Sequence, residues 1–340
     1  MVPGPMLQLK NPTPLSASFA VLPNRDGVDT VYAVVKGTWT LLPTVALADK
    51  PVPVTLADEY FGEPGASSLK YASELHIGKP GTDVVLVGQA WAPGGRPAPQ
   101  TAVRASLAGR QKTIGVFGDR IWRSFGRSSD PKPFESMPLL FEHAFGGQDA
   151  ALAEERNPVG KGFAGKRSAG DMVGQPLPNL EDPAALLQRP GDRPPPACFG
   201  FVAGHWLPRR SFAGTYDEAW QKKRAPYLPK DFDPRFFHSG APELTFDKPL
   251  CGGEPFEILG ACRTGPIRGN LPSARPRVTI QIAGDLESPP LRLETILFEP
   301  DDNRICLTWR AELGCDKQAL RVEEISVDVE GLDAPARSGA

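Results

Sequence analysis

Histidine is scarce in this chain, with four among 340 residues. His76, His143, His205 and His238 stand in no HxH or HxxxH pattern, which argues against a zinc site. Cysteine is nearly as scarce: five residues, at positions 198, 251, 262, 306 and 315, without a CxxC pair. The odd count and the spacing disfavour a disulfide scaffold, so free thiols in a reducing compartment are expected. No charge excess exists either, since 38 Lys and Arg face 40 Asp and Glu. Neither nucleic acid nor an anionic membrane is therefore the expected partner. No apolar run approaches the roughly 20 residues of a membrane span. The opening stretch MVPGPMLQLKNPTP lacks the basic and apolar regions of a signal peptide. There is no GxSxG elbow, and Gly160-Lys161-Gly162 lacks the preceding Gly and following Ser or Thr of a phosphate loop. The glycine pairs at 146–147 and 252–253 read as tight turns. The expectation is a soluble cytoplasmic protein without metal or organic cofactor.

What the chain does have is proline, 38 residues, and glycine, 35 residues. Both disfavour long helices and favour short strands with many turns. Ser16 to Leu22 and Thr30 to Leu42 read as strands joined by a turn at Asp26-Gly27. Asp83 to Ala90, Thr101 to Ala108 and Lys112 to Phe117 continue the pattern. Arg277–Ala283, Leu291–Phe298, Arg304–Glu312 and Leu320–Val329 close it, the middle two forming a hairpin across PDDN. Helix is expected only in short pieces: around Glu142, over Ala150–Glu155, over Pro183–Leu187 and within Thr215–Lys223. The fold class is mainly β: a β-sandwich or partly open barrel with a large irregular, loop-rich insertion at about 124–270. One β-rich domain over 1–330 and a disordered tail at 331–340 are expected.

The segment from Pro194 to Phe237 is dense in aromatics, prolines, arginines and aspartates, yet has no hydrophobic period. Phe199, Phe201, Trp206, Phe212, Tyr216, Trp220, Tyr227, Phe232, Phe236 and Phe237 must pack against something, since a buried aromatic contributes roughly 2–3 kcal/mol. Long irregular segments that are well packed are usually functional. Its mix of side chains suits recognition. Asp217, Asp231 and Asp233, with Glu181 and Asp182 nearby, carry two readings. Paired carboxylates beside tryptophans could serve a glycosidase. The same carboxylates could cap turns and pair with Arg209, Arg210, Arg224 and Arg235, and Asp-Phe-Asp-Pro is itself a turn sequence. GDRIW at 118–122 is equally two-sided. Arg120 and Trp122 could be interface anchors, or a core tryptophan and its stacked cover. In the late strand, Trp309 reads as core and Arg310 as surface.

Several blocks then carry a resemblance. VFGDRIW (116–122), MPLLFEHAFGG (137–147), NPVGKGF (157–163), LPNLEDP (177–183), PACFGFVAGHWLPR (196–209), GTYDEAW (214–220) and LPKDFDPRFF (228–237) resemble the signature blocks of a bacterial family, domain of unknown function 2169. KPGTDVVLVGQAWAPGG (79–95) and LTWR (307–310) look like its flanking blocks, so the likeness runs from about residue 15 to 330. The resemblance implies a type VI secretion adaptor or chaperone, because the family's genes lie beside those for the VgrG spike and PAAR tip. Such a protein would bind a cognate effector, or its PAAR-containing part, and help load it onto the VgrG spike. It implies no catalytic residues. The residues expected to meet a protein partner are Arg120, Trp122, Arg209, Tyr216, Asp217, Asp231 and Arg235. The alternative is a carbohydrate- or peptidoglycan-active hydrolase using the carboxylates near Asp217 and Asp231. A third possibility is a structural part of the secretion apparatus.

Overall fold

In the computed structural model, which describes residues 7–332, the β-branched and aromatic runs become strands. In chain order the main ones are β1 (Ser16–Pro23), β2 (Asp29–Thr40), β3 (Asp83–Leu86), β4 (Gln100–Leu107), β5 (Arg110–Phe117), β6 (Pro255–Leu259), β7 (Ile267–Asn270), β8 (Arg275–Ile282), β9 (Arg292–Glu299), β10 (Arg304–Gly314) and β11 (Val322–Glu330). The helical content among the described residues is one short α-helix, α1 (Glu218–Lys223), a two-turn 3-10 helix at Asp316–Arg321, and scattered single turns. The protein is mainly β.

Three sheets build the body. The first runs β1-β2-β10-β9-β3, antiparallel except where β3 lies parallel to β9, with Val85 opposite Leu297. The second runs β5-β4-β6-β7, wholly antiparallel, with Leu180–Glu181 along its β5 edge. The third pairs β8 with β11 and adds Gln8–Lys10 and Asp285–Glu287 at its edges. The inward faces meet in one apolar cluster. Val31, Ala33 and Val35 of β2 and Leu307 and Trp309 of β10 lie in it with Val103, Ile114 and Ile258 of the second sheet and Ile280 and Ile325 of the third. Each such side chain contributes roughly 1.5–3 kcal/mol on burial. Gly37 is required on this face: a Cβ there would lie 2.2 Å from the Trp39 ring, which covers the glycine and meets Trp309 edge-on at 6.2 Å.

The outward face of the first sheet is also covered. Val85, Leu297 and Cys306 pack against Leu69, from the short strand Leu69–Tyr71, and against Phe141, Cys198, Phe201 and Trp206, which come from irregular segments. A third cluster, Trp122, Phe145, Phe163, Met172, Leu177 and Leu187, fills the loop-rich region around 118–190.

Some expectations need correction. The stretch read as one strand over 83–90 changes partner at Val87-Gly88: Asp83–Leu86 joins β9, and Gln89–Trp91 pairs with Ser136–Pro138. Ala150–Glu155 and Pro183–Leu187 are turns, because side chains take the backbone donors a helix would use. Asp149 accepts from the N–H groups of Ala151 and Leu152, and Glu181 accepts from that of Leu187. The irregular stretch expected to reach about 270 stops short of β6 and β7, whose apolar-polar alternation seats Phe256 and Ile258 in the core. Of the tail expected to be disordered, residues 333–340 lie outside the described residues.

Trp206 is buried and meets Phe141 edge-on at 5.3 Å, while Trp220 is only half-buried. Trp206→Ala should therefore cost about 3–5 kcal/mol, and Trp220→Ala less than half of that. Urea denaturation of both variants followed by fluorescence and circular dichroism checks the contrast.

Candidate functional site

The segment Pro194–Phe237 continues to about Asp247 as an irregular cap on the outward face of the first sheet. Its apolar half is inside: Phe199, Phe201, Trp206 and Phe232 are buried. Its turns are held by its own carboxylates. Asp217 is the N-cap of α1 and accepts from the Trp220 N–H at 2.7 Å. Asp231 accepts from the N–H and hydroxyl of Thr215 at 3.0 and 2.8 Å. Asp233 accepts from the Arg235 N–H and pairs with its guanidinium at 2.6 Å. Of the aspartate–arginine pairs expected from the sequence, only this last one forms. Arg210 pairs instead with Glu155, and Arg224 donates to the carbonyls of Leu228 and Arg25.

Arg209 ties the cap together. It is buried, stacks on Phe236, and donates to the carbonyls of Phe236 and Val202 at 2.8 and 2.5 Å. No carboxylate lies within 4 Å of it among the described residues. Burial lowers its pKa from the usual arginine value.

The cap is fastened to the sheet through Asp83 of β3, which is 0% exposed. From the sheet side Lys79 Nζ donates to Asp83 Oδ2 at 2.7 Å. From the cap side His238 Nδ1 lies 2.7 Å from Oδ1, the Ser239 N–H donates to Oδ2 at 2.8 Å, and the Thr245 hydroxyl donates to Oδ1 at 3.3 Å. Burial by itself would raise the carboxyl pKa, but Lys79 and His238 outweigh it and hold Asp83 well below the usual carboxylate range.

Two hollows flank this fastening. Outside the cap a groove of about 560 Å³ is walled by Pro80, Val202, Pro208, Phe212, Pro234 and Pro242, with Arg110, Asp233, Arg235, His238 and Asp247 around it. Beneath the cap a cavity of about 180 Å³ is lined by Lys36, Glu74, His76, Lys79, Arg209 and Arg310 together with Phe201, Phe236, Phe237 and Leu297. Arg209 forms part of both walls.

The sequence-predicted residues divide accordingly. Arg209 and Arg235 line the groove. Tyr216 is 53% exposed and packs edge-on against Trp220 beside it. Asp217 and Asp231 are exposed, hold turns, and line neither hollow. Trp122 is 1% exposed within its own cluster, so it is core and not a surface anchor. Arg120 stacks on Phe117 at 4.1 Å and is paired with Glu181 and the Pro178 carbonyl, which keeps it inside. Arg310, read as surface, is 3% exposed, because the cap covers the face it occupies. Lys36, Lys79, Asp83 and Glu294 were missed. For Lys36 and Glu294 the signal was a charged residue at a strand position amid apolar neighbours, as in YAVVKGTW and RLETILF; Lys79, in the turn before β3, gave no such signal.

A protein-family model described as "Uncharacterized protein conserved in bacteria (DUF2169)" matches residues 26–310. That span holds β2 to β9 and the whole cap. No curated protein and no solved structure matches the chain.

Two stability predictions arise from Asp83. Lys79→Met leaves a buried carboxylate short of its counter-charge and should cost about 3–5 kcal/mol. Adding Asp83→Asn to that variant should recover part of the loss, as a denaturation double-mutant cycle would read. The second concerns acid. A carboxylate whose folded pKa is depressed stabilises above its unfolded pKa, about 3.9, and that stability is lost as pH falls below it. Glu154, buried but bound by Arg156 and Arg193, is held at about 2 and acts in the same direction. Asp83→Asn should therefore flatten the fall in melting temperature between about pH 4 and 2 relative to wild type.

Proposed function

The chain belongs to the bacterial DUF2169 family, and from that premise we propose that it is a type VI secretion adaptor: it binds a cognate effector, or the effector's PAAR-containing part, in the producing cell's cytoplasm and helps load it onto the VgrG spike. The observation that carries the reading is the groove outside the cap. Its walls are proline, valine and phenylalanine, and charges of both signs surround it. Apolar walls with a charged rim suit a protein segment better than a small polar substrate. The cap that forms the groove is tied at Asp83 and Arg209 before any partner arrives, so less ordering entropy is lost on binding.

An adaptor must release its cargo, and a mixed apolar and polar surface supports moderate affinity. Arg235 is the expected anchor: its side chain is 59% exposed, it stacks on Phe212, and it lines the groove. Tyr216 lies in the same segment and is also exposed. The carboxylates of the hydrolase alternative, Asp217 and Asp231, are engaged in turns outside both hollows, so binding alone is proposed, without turnover.

Deleting the gene should abolish delivery of one effector and leave the secretion sheath and tube assembled. Co-purification with the products of neighbouring genes should recover that effector or a PAAR-bearing protein. Arg235→Ala and Phe212→Ala should each weaken the complex by about 2 kcal/mol with little change in melting temperature, since an exposed ion pair contributes little to stability. A deletion strain that still secretes every effector normally would overturn the reading.

A further inference from the structure

One cation lining the cavity beneath the cap lacks an ion-pair partner among the described residues, a feature the adaptor reading does not use. Four cationic side chains line it, Lys36, Lys79, Arg209 and Arg310, each no more than 8% exposed. Three buried or nearly buried carboxylates oppose them, as the pairs Lys36–Glu74, Lys79–Asp83 and Arg310–Glu294. Arg209 is the remaining cation. Asp58, which also lines the cavity, is exposed and accepts from the Ser73 N–H; with Asp83 it acts on Arg209 electrostatically without reaching ion-pair distance. His76 is pushed well below the ordinary imidazole value by burial and by Arg310, so it adds no charge.

The carboxylates that pair with the other three cations have no oxygen to spare for Arg209. Each carboxylate oxygen in the three pairs already accepts. Glu74 takes Thr308 Oγ1, Lys36 Nζ and the Thr55 N–H; Glu294 takes the Lys79 N–H and Arg310 Nε; Asp83 is saturated as described above. Donors are left over. Arg310 Nη1 is shielded from solvent and meets no acceptor among the described residues. Arg209 donates through Nε and Nη1, while its Nη2 makes no hydrogen bond among them. Gly204 leaves room there: a Cβ at that position would lie 3.8 Å from Arg209 Nη2 and 3.3 Å from the Phe236 ring. A buried cation without an ion-pair partner is costly, and an anion at the free nitrogen of Arg209 would relieve it.

We propose that this cavity is a binding site for a small organic carboxylate, with its carboxylate held by Arg209 and its apolar body against Phe201, Phe236 and Leu297. The volume of about 180 Å³ admits a molecule of about six non-hydrogen atoms, at roughly 30 Å³ for each water displaced. The apolar walls, with His76 stacked on Phe237 at 4.6 Å, separate this from an inorganic oxyanion, whose remaining oxygens would find no donors there. The site shares Arg209 with the groove wall, but its ligand enters a separate hollow and needs no effector.

The test is calorimetric titration of n-butyrate into the purified full chain, dialysed free of organic acids, with sodium chloride at matched ionic strength and inorganic phosphate as parallel arms. Saturable butyrate binding with a raised melting temperature, and no such response in the other arms, is expected. Arg209→Met should weaken binding at least about tenfold, the loss expected of a charge-assisted hydrogen bond. Because Arg209 also holds the cap, Gly204→Ala provides the second variant. It places a methyl group beside the spare nitrogen, keeps the arginine, and should weaken butyrate to a similar degree while retaining a native melting transition. No saturable heat with butyrate, an equal response to chloride, tighter binding of phosphate, or an unchanged Kd in a folded Gly204→Ala protein would each overturn the proposal.

Discussion

One carboxylate without access to water, Asp83, joins the ordered sheet to its irregular cover. Its four partners come from both sides: Lys79 from the sheet side, His238, Ser239 and Thr245 from the cap. A carboxylate in such surroundings tolerates no missing partner, since an unpaired buried charge costs several kcal/mol. The cap therefore has one position in which it satisfies Asp83. Apolar contacts between Trp206, Phe201 and the sheet contribute burial energy but little direction. Hydrogen bonds to a buried charge are directional and set where that burial occurs.

The same logic extends across the outward face of the first sheet. β2 and β10 carry Lys36, Thr308 and Arg310 there, between Cys306 and the apolar cover. Glu74 and His76 reach this layer from the irregular stretch before β3, and Glu294 reaches it from β9. A polar layer sandwiched between a sheet and a loop-built cover is stable only if its partners arrive together from distant parts of the chain. Arg209 is the cap's contribution, and its interactions are with backbone carbonyls, so it orders the cap without neutralising itself. That leaves a groove shaped by rigid walls on one side and, on the other, a cavity lined in part by one arginine without an ion-pair partner among the described residues.

Much of the β architecture was legible because alternation and turn chemistry are local. The hairpin across Asp26-Gly27 and the one across PDDN both form, the latter with Asn303 in the left-handed conformation the turn requires. Asp-Phe-Asp-Pro also behaves as a turn, with Asp233 capping the single helical turn Pro234–Phe237. The candidate site was legible only in part. The aromatic segment stood out by composition, and Arg209 and Arg235 within it do line the groove. Arg120 and Trp122, equally prominent by type, went to the interior.

The sequence alone determined that the protein is mainly β, that helix is confined to short pieces, and that Pro194–Phe237 packs on the remainder. Each of these depends on neighbours along the chain: period-two patterning, proline and glycine placement, and aromatic density. Tertiary structure decided the rest. Alternation says that Arg310 and Lys36 point away from the core, but not that a second layer lies over them. Nor does it announce that β3 runs parallel to β9, or that His238 meets Asp83 across 155 positions of chain. Those outcomes depend on which distant segments can close on one another and satisfy every buried charge at once, a condition that no local window of residues contains.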